Sequence, residues 1–241
     1  MDEIIYDKRR GFVQRQKKGA RTDFRRFAGQ PLPETTPELK FFDQWDTSAI
    51  TSNSSWAGLE LDPADACLNA VPEGMGESER RGKTIRMKQL IFRGSKYFSS
   101  YTGLSVARPG KVFIAVVLDT QTSTQQLNSE DVYKTIATAA MASPLRNMKY
   151  ADRFVILKTF NINFGDPGIA YDSTLNIFVT NGTEISFNAV IPLDIPVNYV
   201  GDSGGVSTIT DNSLHVLAIT DDTVLTYWLT YNARLRYLDE Q

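Results

Sequence analysis

The sequence predicts an all-β fold: a single eight-stranded jelly-roll β-sandwich with long loops, preceded by a flexible, basic N-terminal arm. Beyond Pro37 the chain alternates between short apolar runs and turn residues, a pattern typical of an all-β sandwich. Its 241 residues are enough for one such domain to bury a core without metal or disulfide support. We therefore predict two parts, an arm with a Pro-rich linker at 1–37 and a jelly-roll domain at 38–241.

The candidate strands are apolar or alternating runs bounded by turn residues. They are Leu39–Trp45, Trp56–Leu61, Thr84–Tyr97, Val112–Asp119, Arg153–Phe164, Leu175–Thr180, Ile185–Tyr199, Leu214–Thr220 and Val224–Leu238. The segment Val112–Leu118 is apolar at every position, which predicts a central strand covered on both faces. The last run also carries large side chains on both faces, so we expect it to be covered on both sides. Long loops at 62–82, 120–150 and 198–212, with the preceding tail, favour a jelly roll among sandwiches.

One segment, Ser129–Met141, has the spacing of a helix. Ser129 can cap it, and the acidic residues that follow suit the positive end of the helix dipole. These acidic residues are Glu130 and Asp131, and the apolar side consists of Val132, Ile136 and Ala140. We predict that this is the only helix.

The arm is strongly basic, whereas the rest of the chain is acidic. Residues 1–27 contain nine basic and four acidic residues, a net charge of +5, and residues 28–241 contain 17 and 24, a net charge of −7. A basic arm on an acidic body is typical of a protein whose tail meets a polyanion. Its lack of a steady apolar period predicts disorder until it binds. The candidate nucleic-acid-binding residues of the arm are Lys8, Arg9, Arg10, Arg15, Lys17, Lys18, Arg21, Arg25 and Arg26.

The arm has two further features. Phe12 and Phe24 can stack on unpaired bases, and Phe27 can either stack in the same way or pack under the sandwich. The clusters Lys8–Arg10 and Lys17–Lys18 also match a basic nuclear-import signal. The same side chains can serve nucleic-acid binding and import.

The stretch GDSGG, Gly201–Gly205, is the string that surrounds the nucleophilic serine of chymotrypsin-like proteases. Such a site needs a His to take the proton from Ser203 and a buried Asp to orient that His. The chain has one His, His215, and it follows Ser203, whereas those proteases place His and Asp before Ser. Gly, Asp and Ser between apolar runs also form turns. We interpret GDSGG as a loop joining two strands and predict that the protein is not an enzyme.

Composition reduces the number of protein classes to which the chain could belong. No run of about 18 apolar residues is present and the N-terminus has no apolar leader, so we expect no membrane insertion and no secretory signal. The single Cys67 has no partner in the chain for a disulfide and is interpreted as a small core or loop residue. We expect no cofactor and no metal. Four carboxylates could contribute to a calcium site between subunits, but we interpret them as solvated turn residues. They are Asp62, Asp65, Asp221 and Asp222.

Five stretches of the sandwich region carry a resemblance to a known family. They are Leu68–Gly74 (LNAVPEG), Arg80–Gly94, Val112–Gln121 (VFIAVVLDTQ), Arg153–Lys158 and Tyr199–Thr220. In pattern and order the chain resembles the capsid proteins of small circular single-stranded DNA viruses, the circovirus-like group that encodes a replication initiator. The arm departs from that family because it is shorter and less rich in arginine than in many circovirus capsids.

The resemblance implies a capsid subunit that self-assembles into a small icosahedral shell, with one chain per symmetry position (T=1), around single-stranded DNA. Its partners would be copies of itself, the viral nucleic acid, a host receptor whose identity stays open, and the host nuclear-import machinery. The implied locations are the virion and, during assembly, the host nucleus. Two pairs of cations each share one face of a strand: Arg86 with Lys88, and Arg234 with Arg236. These faces are either exposed to solvent or line the interior of the shell, where they would add to the positive field of the arm.

Three functions remain open at this point. A capsid subunit is favoured by the arm, the linker, the sandwich and the resemblance together, with either a DNA virus or a small RNA virus as its source. A cellular jelly-roll ligand or lectin-type binding module would need no basic arm. A hydrolase built around Ser203 lacks a correctly placed His.

Overall fold

The structure is a computed structural model, and it divides into two units, Met1–Glu38 and Leu39–Gln241. It describes residues 3–6, 13–16, 39–50, 57–58, 67–98, 111–122, 124–125, 127–134, 144–163, 169–172, 177–180, 184–220 and 227–240. The strands in chain order are β1 Glu3–Tyr6, β2 Val13–Gln16, β3 Lys40–Ile50, β4 Ala57–Gly58, β5 Thr84–Phe98, β6 Lys111–Asp119, β7 Tyr133–Lys134, β8 Leu145–Arg146, β9 Phe154–Asn163, β10 Ile169–Asp172, β11 Ile177–Thr180, β12 Ile185–Asn198, β13 Ser213–Thr220 and β14 Tyr227–Glu240. The helix α1 spans Ser129–Val132, and 3-10 turns lie at Met148–Tyr150 and Val206–Thr208.

In the first unit, β1 and β2 pair as antiparallel strands, with Glu3 opposite Gln16 and Tyr6 opposite Val13. The sequence predicted no regular structure here, and for these eight residues the structure corrects that expectation. Both segments contain β-branched or aromatic residues, which favour strands. The other cations of the arm lie outside the described residues.

The second unit contains two four-stranded antiparallel sheets. One has the order β12-β5-β14-β3 and the other the order β4-β13-β6-β9. The chain changes sheet between successive strands, except from β6 to β9, and the outer strands of each sheet come from opposite halves of the sequence. Eight strands arranged in two such interleaved sheets form a jelly roll. The predicted all-β jelly-roll fold is therefore confirmed.

Strand β6 is central to its sheet and buried on both faces, as its continuous apolar sequence predicts. Val112, Ile114 and Val116 join the main core, which lies between the two sheets. On the opposite face, Phe113 and Ala115 join a second cluster, and Phe113 makes an edge-to-face contact with the Tyr133 ring at 5.5 Å. The segment around α1 and β7 thus covers the outer face of this sheet.

Strand β14 differs from its prediction because only one of its faces is buried. Leu229, Tyr231 and Leu235 point into the core, whereas Asn232 and Arg234 are exposed. The outer face of the sheet β12-β5-β14-β3 is therefore open to solvent along this strand.

The predicted helix is shorter than expected. Helix α1 ends at Val132, and Tyr133 is already extended, with φ −129° and ψ 139°. Its cap is Asn128 rather than Ser129, because the Asn128 side chain accepts a hydrogen bond from the Glu130 N–H. Val132 and Tyr133 favour extended backbone, which explains the early end. Residues 135–143 lie outside the described part. No helix in the described residues is long and apolar enough to cross a membrane.

The acidic end of the VFIAVVLDTQ motif has a structural role. Asp119 is fully buried, and its two carboxylate oxygens accept hydrogen bonds from Arg153 at 2.8 and 2.7 Å. The same carboxylate accepts the Gln121 N–H at 3.0 Å. Arg153 immediately precedes β9, so this pair fixes the end of β6 to the start of its neighbour. Hydrogen bonding to Asp119 raises the pKa of Arg153.

Candidate nucleic-acid interface and the loop end of the sandwich

The two cation pairs predicted on strands share one surface. Arg86 and Lys88 lie on β5, and Arg234 and Arg236 lie on the adjacent β14, where Arg236 is opposite Gln89. All four point to the outer face of the sheet β12-β5-β14-β3. The strand pairing therefore brings together residues that are about 150 positions apart in sequence.

Three of these four cations are already paired with carboxylates. Arg86 donates to Glu240 and lies 3.7 Å from Asp194, and Lys88 also donates to Asp194. The hydrogen bond from Lys88 lowers the pKa of the Asp194 carboxyl, and the bond to Glu240 raises the pKa of Arg86. These exposed pairs neutralise much of the charge at one end of the face.

Arg234 forms a bidentate pair with Asp43, at 2.6 and 2.5 Å, and its guanidinium lies 4.9 Å from the centre of the Phe41 ring. The hydrogen bond to Asp43 raises the pKa of Arg234. Arg236 is exposed and forms no ion pair within the described residues, and the same holds for Arg93, which the sequence analysis did not single out. These two are the cations of the face that remain available to an external anion.

One of the nine predicted arm cations lies within the described residues. Arg15 lies in β2 opposite Ile4. The remaining eight arm cations fall outside the described residues, as do all four carboxylates weighed as a calcium site. Within the described ranges, no three side chains of His, Cys, Asp or Glu gather as metal ligands.

The GDSGG stretch belongs to the loop that joins β12 to β13 and packs against the loop 67–82. The Asp202 carbonyl accepts the Glu73 N–H at 2.9 Å, and the Thr208 hydroxyl donates to the Gly205 carbonyl at 2.7 Å. Gly204 has to be glycine because a Cβ there would lie 2.7 Å from the Ala70 carbonyl oxygen. The stretch is a packed turn, as the sequence interpretation predicts.

Ser203 and His215 occupy different environments. Ser203 is exposed on the loop, and its carbonyl accepts the Thr208 hydroxyl. His215 is fully buried in β13, where its Nε2 is 2.7 Å from the Ser213 hydroxyl. That hydroxyl in turn accepts from Thr122. His215 is therefore a core residue within a small polar network.

A buried arginine that the sequence analysis missed holds the loop end together. Arg80 has no exposed surface, and its Nε donates to the Val71 carbonyl at 3.1 Å. Its two terminal nitrogens donate to the carbonyls of Gly82 and Gly201, and one of them also pairs with Glu73 at 3.0 Å. One side chain thus connects three loop segments.

The Arg80 guanidinium also stacks over an aromatic ring. Its central carbon lies 4.2 Å from the centre of the Tyr199 ring, and the Tyr199 hydroxyl donates to the Asn69 carbonyl at 2.7 Å. Burial raises the pKa of Tyr199 well above its usual range. The phenol is therefore a neutral donor, and the Arg80–Tyr199 stack rigidifies the loops that surround GDSGG.

Comparisons with known proteins give no family. No family description matches the sequence, and no curated protein does. Similar solved structures include Desmodium yellow mottle tymovirus, with 12% identity over 87% of this chain and 91% of that chain at a TM-score of 0.29. They also include the 60-mer BFDV capsid protein, with 12% identity over 86% and 96% at a TM-score of 0.30.

A third similar structure is the VP2 subviral particle of infectious bursal disease virus, with 10% identity over 99% of this chain but 38% of that chain, at a TM-score of 0.28. Similarity at these TM-scores assigns neither a fold nor a function to this chain. The fold assignment rests on the strand order, and the functional assignment rests on the chain's own charges and surfaces.

Proposed function

We propose that the chain is a viral capsid subunit, which assembles with copies of itself into a small icosahedral shell and packages single-stranded DNA through its basic arm. The observation that carries the proposal is the division of charge along a jelly-roll chain: +5 in residues 1–27 and −7 in residues 28–241. An acidic body repels a polyanion, whereas the arm attracts it. The division therefore supports genome binding by the arm and shell formation by the sandwich.

Self-association is supported by apolar side chains that the described part of the chain leaves exposed. Met75 is 79% exposed and Met148 is 72% exposed, and Leu145 and Val200 are exposed as well. Burying these side chains against another copy of the chain would remove apolar surface from water. Identical subunits satisfy such contacts fully only in a closed symmetric assembly, because an open one would continue to grow into filaments. One chain per icosahedral symmetry position is the simplest closed shell for a single domain.

The packaged nucleic acid is single-stranded DNA in this proposal, and the arm binds it without reading its sequence. Phosphate contacts from Lys and Arg depend on charge density rather than base identity. The same basic clusters, Lys8–Arg10 and Lys17–Lys18, serve import into the host nucleus. The virion is the final location, and the host receptor contacts the outer surface of the shell.

Negative-stain microscopy of the purified chain, with and without single-stranded DNA, tests this function. We expect uniform closed particles. A cellular ligand or lectin-type module would give small oligomers, and a monomer under all salt conditions would contradict the proposal.

The proposal includes no catalytic step, and it predicts that Ser203→Ala leaves folding and particle assembly unchanged. The buried His215 is engaged by Ser213 and is not available as a base for the exposed Ser203. A fluorophosphonate that labels activated serines should not react with the protein. Stoichiometric labelling at Ser203 that disappears in the Ser203→Ala variant would establish a hydrolase instead.

A further inference from the structure

Four exposed residues form a continuous row across the sheet β12-β5-β14-β3. Trp45 of β3 is opposite Asn232 of β14, which is opposite Arg93 of β5, which is opposite Asn188 of β12. All four point to the outer face and are exposed, and Trp45 has 77% of its surface accessible. Neighbouring strands are about 4.8 Å apart, so this cross-sheet row spans roughly 14 Å.

The cross-sheet row is the shared floor of two adjoining depressions. The first has a volume of about 420 Å³ and lies between Trp45 and Arg93, and the second has about 540 Å³ and lies between Arg93 and Asn188. Both are lined by Asn232. Trp45 is the one aromatic ring among the large apolar side chains that the described residues leave exposed. The row therefore presents a flat ring, two amides and a cation along one shallow groove.

The charges beside the row favour an anionic occupant. Asp43, the one carboxylate among the described residues that line the two depressions, is neutralised by its bidentate bonds from Arg234. Arg93 has no ion pair within the described residues, so its full positive charge faces outward. A second copy of the chain that docked here about a two-fold axis passing through Arg93 would bring two Arg93 side chains together, which is unfavourable.

We propose that the cross-sheet row binds nucleotides of single-stranded nucleic acid, a site that rests on the proposed packaging function and adds to the arm. An unpaired base stacks on Trp45, the Asn232 amide hydrogen-bonds the edge of the base, and Arg93 pairs with a phosphate. Asn188 extends the polar contacts toward the next nucleotide. A duplex does not fit this site because its bases are already stacked on one another.

Binding of the full-length chain to a fluorescent oligonucleotide of about ten nucleotides, measured across a series of salt concentrations, tests the row. Stacking is insensitive to salt, so Trp45→Ala should lower affinity roughly tenfold at every salt concentration without changing the log–log slope, and Trp45→Phe should retain most of the affinity. Arg93→Gln should instead make the slope shallower by about 0.7, the value of one phosphate contact.

Arg81→Gln is the matched control, since it removes one exposed positive charge from a loop outside the row. It should leave the affinity and the slope of the parent chain unchanged. A second measurement is photo-crosslinking with an oligonucleotide that contains 5-iodouracil, which should modify the peptide containing Trp45.

Three outcomes would overturn the proposal. They are crosslinks confined to the arm, row variants that bind as tightly as the parent chain, and an Arg81→Gln effect equal to that of Arg93→Gln. These outcomes leave packaging by the arm intact, whereas a full-length chain that binds no oligonucleotide at all would remove the packaging function as well.

Discussion

Particles assembled from a chain that lacks residues 1–27 should contain almost no nucleic acid. The deletion removes nine of the 26 basic residues and leaves a chain with a net charge of −7. Each phosphate contact to a single strand contributes about −0.7 to the log–log salt slope, so an arm in which most cations bind should give a slope of about −5. The ratio of absorbance at 260 and 280 nm, together with the amount of nuclease-protected nucleic acid, measures the loss.

A full-length variant in which the nine arm cations are changed to Gln provides the control for chain length. It should behave as the deletion does, and both proteins should keep the circular dichroism of a folded sandwich because the core belongs to residues 39–241. The account of the arm is wrong if either variant packages as much nucleic acid as the parent chain with an unchanged salt dependence.

Replacing Arg80 by Met should lower the free energy of unfolding by about 3–5 kcal/mol, because it removes the charged hydrogen bonds of a fully buried side chain and leaves the buried Val71 carbonyl without a donor. The carbonyls of Val71, Gly82 and Gly201 each lose a donor, and Glu73 loses its ion-pair partner. For a chain of this length the melting temperature should fall by roughly 10 °C. Thermal and urea unfolding of the unassembled protein measure the change.

The next residue in the chain supplies the control for Arg80. Arg81 is exposed, and its backbone N–H donates to the Asp239 carboxylate at 3.1 Å, whereas its side chain forms no ion pair within the described residues. Arg81→Met should therefore change stability by less than about 0.5 kcal/mol. The stability of the Arg80→Lys variant should lie between those of the Arg80→Met and Arg81→Met variants. A lysine keeps the charge but lacks the planar guanidinium that reaches three carbonyls. Equal stability of the Arg80→Met and Arg81→Met variants would show that the buried network contributes nothing.

Much of the fold could be predicted from sequence because burial leaves a simple pattern there. The continuous apolar run of β6 predicted a doubly covered strand, and the burial of both its faces confirms it. The helix was overestimated because helical spacing over Ser129–Met141 outweighed the strand preference of Val132 and Tyr133. The short strand β10 was missed, since four residues that pair with β11 carry little alternation.

The candidate sites were less predictable because they depend on strand register and loop closure. Arg80 and Arg81 are adjacent and chemically identical, and only the approach of the Gly201 loop makes the first a buried donor. Trp45 and Arg93 are brought into one row by pairing with Asn232, which lies nearly 140 positions further along the chain than Arg93. No local pattern in the sequence records either arrangement.

The central claim, that this chain forms a closed shell, is tested most directly by measuring the mass of the assembled particles in solution. The account predicts a single narrow species whose protein mass equals one 27.0 kDa chain per symmetry position of an icosahedron. Particles made without the arm should contain the same number of chains, each lighter by the deleted residues, and almost no nucleic acid. A broad distribution of open oligomers, or a chain that stays monomeric at high concentration with and without single-stranded DNA, would contradict the account.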